Sequence, residues 1–318
     1  MIEASAGALT PLRLADGFPN PSDEDLRRAA TALAAAGGPA LIDGLAFGAF
    51  PVELIDALPR APVALCHHPL GLEAGLSADV AAALIGSERA ALARAAHVVV
   101  TSAATKRTLV ADFGLTETDV TIAPPGLDRA PAAKGAVGPP VILTVASLTP
   151  RKAHDVLVDA LAAIRDIDWR AIWVGLDDRA PDWARDIRER VARSGVGDRI
   201  EMRGGCGSDE LEELYANASI FCLPSRYEGY GMVFAEAMMR GLPIVAAETD
   251  AAREVIPADA GRFAINGDAA SLAETLRALL EDPTARRAAG GAGRAHALTL
   301  PDWDATWTII NDVLEGRA

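Results

Sequence analysis

Residues 219–246 read SIFCLPSRYEGYGMVFAEAMMRGLPIVA, and the architecture of this 318-residue chain follows from this pattern. The stretch predicts a buried strand, a loop with two glycines, a helix and a second strand after Gly-x-Pro. Gly229 and Gly231 let backbone amides approach a ligand closely, and the start of the helix presents free N–H groups and a positive dipole end. These features predict a binding site for a diphosphate.

Short apolar runs alternate with helical stretches on both sides of this segment, which indicates parallel α/β units. We predict two doubly wound, Rossmann-like domains, residues 1–128 and 141–300, joined by a linker at 129–140 that lacks periodicity and followed by a terminal helix within 301–318. The predicted strands are Leu12–Ala15, Ala40–Ile42, Val63–His67, His97–Thr101, Val120–Ala123, Val141–Ala146, Ala171–Val174, Ile200–Met202, Ser219–Leu223, Ile244–Ala247 and Arg262–Ile265.

Serines mark the starts of several predicted helices. Ser22, Ser77 and Ser102 stand where a hydroxyl can accept from an amide of the first turn, and Ser271 with Glu274 has the spacing of a capping box. The predicted helices are Ser22–Ala36, Pro51–Leu58, Ser77–Ala96, Ser102–Phe113, Asp155–Ile164, Asp182–Arg193, Asp209–Asn217, Met232–Arg240 and Ser271–Leu280.

The composition argues against several classes of protein. A formal net charge of −14 offers no cationic face for nucleic acid, although it does not exclude peripheral contact with a membrane surface. Three widely spaced cysteines without a C-x-x-C pair argue against a disulfide framework or a zinc site. The longest uncharged stretch, Ala29–Ile42, is too short to cross a bilayer, and no signal peptide precedes Pro11, so we expect a cytoplasmic protein.

The order strand, Pro-Ser, Glu-Gly-x-Gly, helix, Glu, Gly-x-Pro and strand is far more specific than two glutamates eight residues apart. It resembles the E-x7-E donor-site motif of the retaining glycosyltransferases of family 4 (glycosyl transferase group 1), which have the GT-B fold, two Rossmann-like domains facing across a cleft. The resemblance implies that Glu228 orients the donor sugar and that Glu236 accepts hydrogen bonds from the ribose hydroxyls. The motif residues expected at the donor site are Ser225, Glu228, Gly229, Tyr230, Gly231, Met232, Val233 and Glu236.

Residues 141–161, VILTVASLTPRKAHDVLVDAL, resemble the first strand and loop of that family's donor domain. In the family an arginine and a lysine of this loop neutralise the donor diphosphate. Lys152 matches the lysine, whereas Ser147 stands at the position of the arginine, and we hypothesise that Arg151 supplies the missing charge. A fixed cation stabilises the charge that grows on the leaving phosphate, so we expect a reaction that needs neither metal nor cofactor.

Two shorter segments extend the resemblance. Residues 62–70, PVALCHHPL, end a predicted strand at two histidines, only one of which can face the ligand in regular geometry. Family 4 members carry here a histidine that hydrogen-bonds the donor sugar, and the alignment favours His67 over His68. Arg203 and Gly204 follow a strand where family members approach the nucleobase.

The resemblance also assigns the domains. Residues 1–128 correspond to the acceptor-side domain, residues 141–300 to the donor-binding domain, and residues 301–318 contain a helix that crosses back to the first domain. Family members begin with a strand and a glycine-rich loop, and no such loop precedes Asp16. We therefore expect the first unit of the acceptor-side domain to be absent from this chain.

These observations predict transfer of a glycosyl group from a UDP-sugar or GDP-sugar to an acceptor hydroxyl, with retention of configuration. His67, Glu228 and Lys152 are the predicted catalytic residues. Two alternatives stay open: a non-catalytic or partner-dependent nucleotide-sugar-binding protein, which the expected loss of the first unit favours, and a GT-B epimerase or hydrolase that acts on the same donor. The acceptor and the oligomeric state are not specified by the sequence.

If Arg151 supplies the missing charge, Arg151→Ala should weaken binding of a nucleoside diphosphate much more than it affects folding. Calorimetric titration with the nucleotide, together with thermal denaturation, measures both effects. Equal affinity in the variant and the wild type would refute the hypothesis.

Overall fold

A computed structural model describes residues 1–316 and divides the chain into two compact units. Unit 1 comprises Met1–Gly126 together with the segment that begins at Pro301, and unit 2 comprises Leu127–Leu300. Of the predicted terminal segment 301–318, residues 317 and 318 lie outside the described part of the chain.

Unit 1 is built on a parallel sheet whose strands lie side by side in chain order. The strands are β1 (Leu41–Asp43), β2 (Val63–Cys66), β3 (His97–Val100) and β4 (Val120–Ile122). The helices are α1 (Asp23–Ala36), α2 (Gly44–Phe47), α3 (Val52–Asp56), α4 (Ala78–Leu92), α5 (Ala103–Phe113) and the terminal helix Trp303–Leu314, which is α13 in chain order.

The sheet of unit 1 is buried on both faces, as its valine-rich strands predict. Val98 and Val100 of β3 pack into one apolar cluster, while Val99 between them packs into another with Ile310 and Val313 of α13. Because successive side chains of a strand point to opposite faces, α13 must cover the second face of this sheet.

The start of α13 is fixed against the residues that end the first half of the chain. A Cβ atom at Gly126 would lie 2.4 Å from the backbone nitrogen of Trp303, so only glycine allows this approach. The hydroxyl of Thr306 donates to the carbonyl of Pro124 over 2.7 Å. The terminal helix is therefore an integral part of unit 1.

Unit 2 contains a larger parallel sheet of order β7-β6-β5-β8-β9-β10. Its strands are β5 (Val141–Val145), β6 (Arg170–Val174), β7 (Ile200–Arg203), β8 (Ile220–Leu223), β9 (Ile244–Ala247) and β10 (Gly261–Ala264). Its helices are α6 (His154–Ala163), α7 (Pro181–Arg193), α8 (Ser208–Ala216), α9 (Met232–Met239), α10 (Asp250–Val255), α11 (Ala269–Glu281) and α12 (Pro283–Ala297).

The strand order of unit 2 determines where a ligand can bind. The sheet grows outward from β5 in one direction and from β8 in the other, so the connections after these two neighbouring strands diverge. Ile142 and Leu143 of β5 are both fully buried, in clusters on opposite faces of the sheet, which shows helices covering both sides. In such doubly wound sheets ligands bind at the carboxyl ends of the strands where the order reverses.

The structure corrects several predicted elements. The predicted strand Leu12–Ala15 is wrong: the segment has no regular structure, Leu12 is 46% exposed, and Leu14 is only partly buried against the apolar cluster of unit 1. The helices α2, α10 and α12 were not predicted. Two of them are only four and six residues long, and α12 contains three glycines, which lower helix propensity.

The predicted helix caps are confirmed with one exception. The hydroxyls of Ser22, Ser77 and Ser102 accept from first-turn amides of α1, α4 and α5. The capping box at Ser271 is wrong, because α11 begins earlier and Asp268 caps it. The Ser271 hydroxyl instead accepts from the amide of Ile265 over 2.9 Å, which ties the end of β10 to the helix.

Two adjacent glycines of α12 allow a matched stability test. A Cβ atom at Gly290 would lie 2.1 Å from the carbonyl oxygen of Gly241, whereas one at Gly291 would meet nothing within 4 Å. Gly290→Ala should therefore destabilise unit 2 by about 1–3 kcal/mol through overpacking. Gly291→Ala should stabilise it by about 0.5–1 kcal/mol through helix propensity. Urea denaturation measures both, and a stabilising Gly290→Ala would contradict the close packing of α12 on the end of α9.

Candidate functional site

The loop after β5 is held beside the end of β6. The amides of Ala146 and Leu148 donate to the carbonyls of Val174 and Leu176, each over 2.8 Å. A Cβ atom at Gly175 would lie 1.9 Å from the carbonyl oxygen of Ala146, so glycine is required for this approach. The path of the loop is thus set before it reaches the basic pair Arg151–Lys152.

A short 3₁₀ turn, Pro150–Lys152, then reverses the chain into α6. Ala153, at the junction, has φ +54° and is fully buried. This left-handed conformation costs an L-residue roughly 1–2 kcal/mol, and strain of this kind is often found at functional sites. The reversal brings Arg151 and Lys152 to the loop that follows β8.

Glu228 lies between these two cations and is 7% exposed. The Nζ atom of Lys152 lies 2.6 Å from Oε1, and Nη1 of Arg151 lies 3.2 Å from Oε2. Arg151 also donates to the carbonyl of Tyr227 over 3.1 Å. Burial alone would raise the pKa of Glu228, but the charges of Lys152 and Arg151 outweigh burial and hold that pKa below its ordinary value.

Arg226, in the loop after β8, also joins that loop to the residues after β5. Its guanidinium makes two hydrogen bonds to the carboxylate of Asp155, over 3.1 and 2.7 Å, and donates to the carbonyl of Pro150 over 2.6 Å. Its backbone amide donates to the carbonyl of Arg151 over 2.8 Å, and the amide side chain of Asn266 donates to its carbonyl over 2.9 Å. Sequence reasoning missed Arg226 and Asp155, which lie 71 residues apart and have no shared motif.

The helix α9 begins directly after this cluster. Gly231 has φ +90°, and a Cβ atom there would lie 2.6 Å from the ring of Phe234, so glycine is required for two reasons. Because Gly231 has no side chain to cap the helix, the first-turn amides of Met232 and Val233 depend on solvent or a ligand. The start of α9 therefore provides donors and a positive dipole end beside the cations.

Glu236 lies one turn into α9 in a different environment from Glu228. Its Oε2 accepts a hydrogen bond from the hydroxyl of Tyr215 over 3.1 Å. Burial raises the pKa of Glu236 above its ordinary value, although Tyr215 and the charge of Arg240 act in the opposite direction. The two glutamates of the motif are thus distinct: one is paired with cations and the other with a neutral hydroxyl.

The remaining predicted residues of unit 2 occupy the same edge of the sheet. Ser225 is buried in the loop with Glu228, Ser147 is half-buried after β5, and Tyr230 is half-buried between Gly229 and Gly231. Those residues belong to the loops that follow β5 and β8 and diverge where the strand order reverses, a place that we call the switch point.

Arg203 lies further along the same edge, at the end of β7. Its guanidinium pairs with Glu201 at 2.7 Å and with Glu210 at 2.9 Å. Arg203 therefore makes no hydrogen bond to Glu228. The carbonyl of Gly204 accepts from the amide of Gly175 over 3.2 Å, which fixes the end of β7 beside the end of β6.

In unit 1, the two histidines have different partners. Nε2 of His67 lies 2.9 Å from a carboxylate oxygen of Asp43. His67 directly follows β2, and Asp43 is the last residue of the neighbouring strand β1. Asp43 also caps α2 by accepting from the amide of Leu45. Burial would raise the pKa of Asp43, but the hydrogen bond and charge of His67 lower it. His68 instead pairs with Glu73 at 3.1 Å. Sequence reasoning missed Asp43, although its place at a strand end was a usable signal.

Within residues 1–316, no group of three or more His, Cys, Asp or Glu side chains is arranged to hold a metal ion. No helix in this part of the chain is both long and apolar enough to span a membrane.

Glu228→Gln should destabilise unit 2 by about 1–3 kcal/mol at pH 7, because the cations of Arg151 and Lys152 lose their counter-charge. The pKa of Glu228 is lowered in the folded unit, so its contribution is fully present above its unfolded pKa and is lost as the pH falls through the folded pKa. Urea denaturation of both proteins should therefore show a smaller difference at pH 3 than at pH 7.

The matched control for this variant is Glu189→Gln. Glu189 pairs with Arg193 on the surface of α7, where its side chain is 56% exposed, and its loss should cost at most about 0.5 kcal/mol. If Glu228→Gln cost no more than the control, the proposed electrostatic role of Glu228 would be wrong.

Comparison with known proteins identifies the family. The family described as "Glycosyl transferases group 1" matches residues 129–296, more than half of the chain. Over 261 residues the chain is 26% identical to the MMP alpha-(1->4)-mannosyltransferase of Mycolicibacterium hassiacum, which covers 76% of this chain and 62% of that protein. Over 187 residues it is 30% identical to the GDP-mannose-dependent alpha-(1-6)-phosphatidylinositol monomannoside mannosyltransferase of Mycobacterium tuberculosis, which covers 56% of this chain and 48% of that protein.

The chain thus spans less than two thirds of the length of these two relatives. Among solved structures, sucrose-phosphate synthase from Thermosynechococcus elongatus matches 96% of this chain and 82% of its own, with a TM-score of 0.81 at 24% identity. That likeness confirms the predicted α/β fold of GT-B type. The family model, the motif of residues 219–246 and the switch-point loops agree, and the chain belongs to the glycosyl transferases group 1 family.

Proposed function

We propose that this protein transfers a glycosyl group from a nucleotide diphosphate sugar to an acceptor hydroxyl. The observation that carries the proposal is the pairing of Arg151 and Lys152 with Glu228 at the switch point, directly before the start of α9. Two cations and a set of helix amides suit a diphosphate, and a carboxylate among them suits the hydroxyls of a sugar. Membership of the family makes a nucleotide sugar the expected ligand.

The ion-pair cluster also accounts for how a donor would be accepted. In the free protein, Glu228 balances the charges of Lys152 and Arg151. A bound diphosphate carries negative charge of its own and would compete with Glu228 for both cations. The carboxylate would then accept hydrogen bonds from sugar hydroxyls.

The same cations would act on the leaving group. When the bond between the anomeric carbon and the diphosphate oxygen breaks, negative charge grows on that oxygen, and Lys152 with Arg151 would stabilise it more in the transition state than in the ground state. In the retaining reaction that we propose, the acceptor oxygen bonds to the anomeric carbon on the same face. The acceptor proton passes to the leaving diphosphate, so no protein base and no metal ion is required.

One relative is named for its dependence on GDP-mannose, which makes GDP the first nucleotide to test, and UDP remains the second. We propose that Glu236 accepts hydrogen bonds from the ribose hydroxyls. The contact of His67 with the donor sugar stays a prediction. The cytoplasmic location also stays a prediction.

The proposal is tested by calorimetric titration of GDP, UDP and ADP into the whole chain with EDTA present. We expect one nucleotide to bind and Glu236→Ala to weaken that binding by about tenfold or more, because the ribose loses a charged acceptor. Glu189→Ala, a surface change on α7, is the control and should bind like the wild type. No binding by any of the three nucleotides would overturn the proposal of an autonomous donor site and favour a partner-dependent protein.

The same titration leads to the assay that separates the chemical alternatives. The protein is incubated, without acceptor, with a nucleotide sugar that carries the base found to bind. A transferase should leave this donor largely intact. Rapid release of free sugar would instead indicate a hydrolase, and a changed sugar on the intact nucleotide would indicate an epimerase.

A further inference from the structure

Tyr215, near the end of α8, is a fully buried residue with a polar atom in an apolar core. Its ring stacks on that of Phe221, with the centroids 6.2 Å apart, and it belongs to the cluster that packs beneath α9. Its hydroxyl donates to Oε2 of Glu236 over 3.1 Å. A phenylalanine would fill the same space without burying a hydroxyl, so packing alone does not account for a tyrosine here.

Arg240 lies close to Tyr215 and Glu236 but makes different contacts. Its guanidinium lies 4.4 Å from the ring centroid of Tyr215 and pairs with the carboxylate of Glu212, with Nε 3.1 Å from Oε2. Its Nη1 donates to the backbone carbonyl of Glu236 over 2.8 Å, and its own carbonyl accepts from the amide of Ala133. Arg240 therefore secures the backbone of α9 and leaves the Glu236 carboxylate to Tyr215.

This division of contacts determines the orientation of Glu236. Within residues 1–316, the hydroxyl of Tyr215 is the side-chain donor to the Glu236 carboxylate, and it occupies Oε2. A carboxylate accepts through two oxygens, and fixing one of them fixes the direction of the other. The remaining oxygen, Oε1, makes no hydrogen bond within the described residues, so it can accept from a ligand.

We propose that Tyr215 is a positioning residue that holds Oε2 of Glu236 and directs Oε1 to the vicinal hydroxyls of the nucleotide ribose. The inference rests on the proposed function, in which Glu236 accepts those hydroxyls. Its consequence is selectivity for ribonucleotides: a nucleotide that lacks the 2′ and 3′ hydroxyls gains nothing from an oriented carboxylate. The contribution of Tyr215 to affinity must therefore depend on the ribose hydroxyls.

The test is calorimetric titration of wild type and Tyr215→Phe with GDP and with 2′,3′-dideoxy-GDP, or with UDP and its dideoxy counterpart if UDP binds more tightly. We expect Tyr215→Phe to weaken the ribonucleotide by about tenfold and the dideoxynucleotide by less than about twofold, because only the former uses Oε1. The phenylalanine keeps the packing of the ring, so the variant should fold.

Two further variants separate orientation from packing. Phe221→Leu disturbs the same stack without removing a hydrogen bond to Glu236, and it should change both affinities by the same factor. In the background of Glu236→Ala, Tyr215→Phe should have no further effect on ribonucleotide binding, because the carboxylate that it positions is absent.

The pH dependence of ribonucleotide binding gives an independent readout. Besides the hydrogen bond from Tyr215, the charges of Arg240, Glu212 and Asp128 act on the pKa of Glu236. Binding needs the ionised carboxylate, so affinity should fall as the pH drops through the pKa of Glu236, which burial raises. Removing the Tyr215 hydroxyl removes a donor to the ionised form, raises that pKa further and should move the loss of affinity to higher pH.

The outcomes distinguish the two proposals. If Tyr215→Phe weakened both nucleotides equally, or left both affinities and the pH profile unchanged, the positioning role would be wrong while the donor site stood. If Glu236→Ala lost no affinity, the assignment of Glu236 to the ribose and the inference that rests on it would be wrong. If the wild type bound no nucleotide, the proposed function would fail as well.

Discussion

Buried charges of one sign cannot be left without compensation, and this constraint governs the structure at the centre of unit 2. Arg151 and Lys152 come from the loop after β5, and Glu228 comes from the loop after β8. Their ion pairs close the gap between two connections that the strand order sends in opposite directions. Arg226 with Asp155 reinforces the same junction. The cluster thus ties the switch point together and places charge where a diphosphate would bind.

The two glutamates of the motif acquire different properties from their surroundings. Glu228 is surrounded by cations, which hold its pKa down, whereas Glu236 lies over an apolar core with a tyrosine hydroxyl as its side-chain donor, and its pKa is raised. A spacing of eight residues places one glutamate before the start of α9 and the other one turn inside it. Their chemistry therefore depends on the helix boundary at Gly231, where glycine is required by both φ and packing.

Local patterns were sufficient wherever a segment had to bury apolar side chains on both faces. The continuous apolar runs of β3, β5, β8 and β9 identified those strands, and serine caps located the starts of α1, α4 and α5. The failures have equally local reasons. The run at Leu12 forms no strand, and α12 packs closely at Gly290 on Gly241, a contact between residues 49 positions apart in the chain that no local propensity reveals.

The sequence by itself determined the alternation of strands and helices, the motif of residues 219–246 and the family resemblance, because each depends on side-chain pattern and spacing along the chain. It also identified Glu228, Glu236, Lys152 and His67 as residues to examine. Only the tertiary structure decided which groups they contact: Asp43 beside His67 and Tyr215 beneath Glu236. These partners lie on neighbouring elements distant in sequence, and the electrostatic environment of a side chain depends on distance in space rather than on position in the chain.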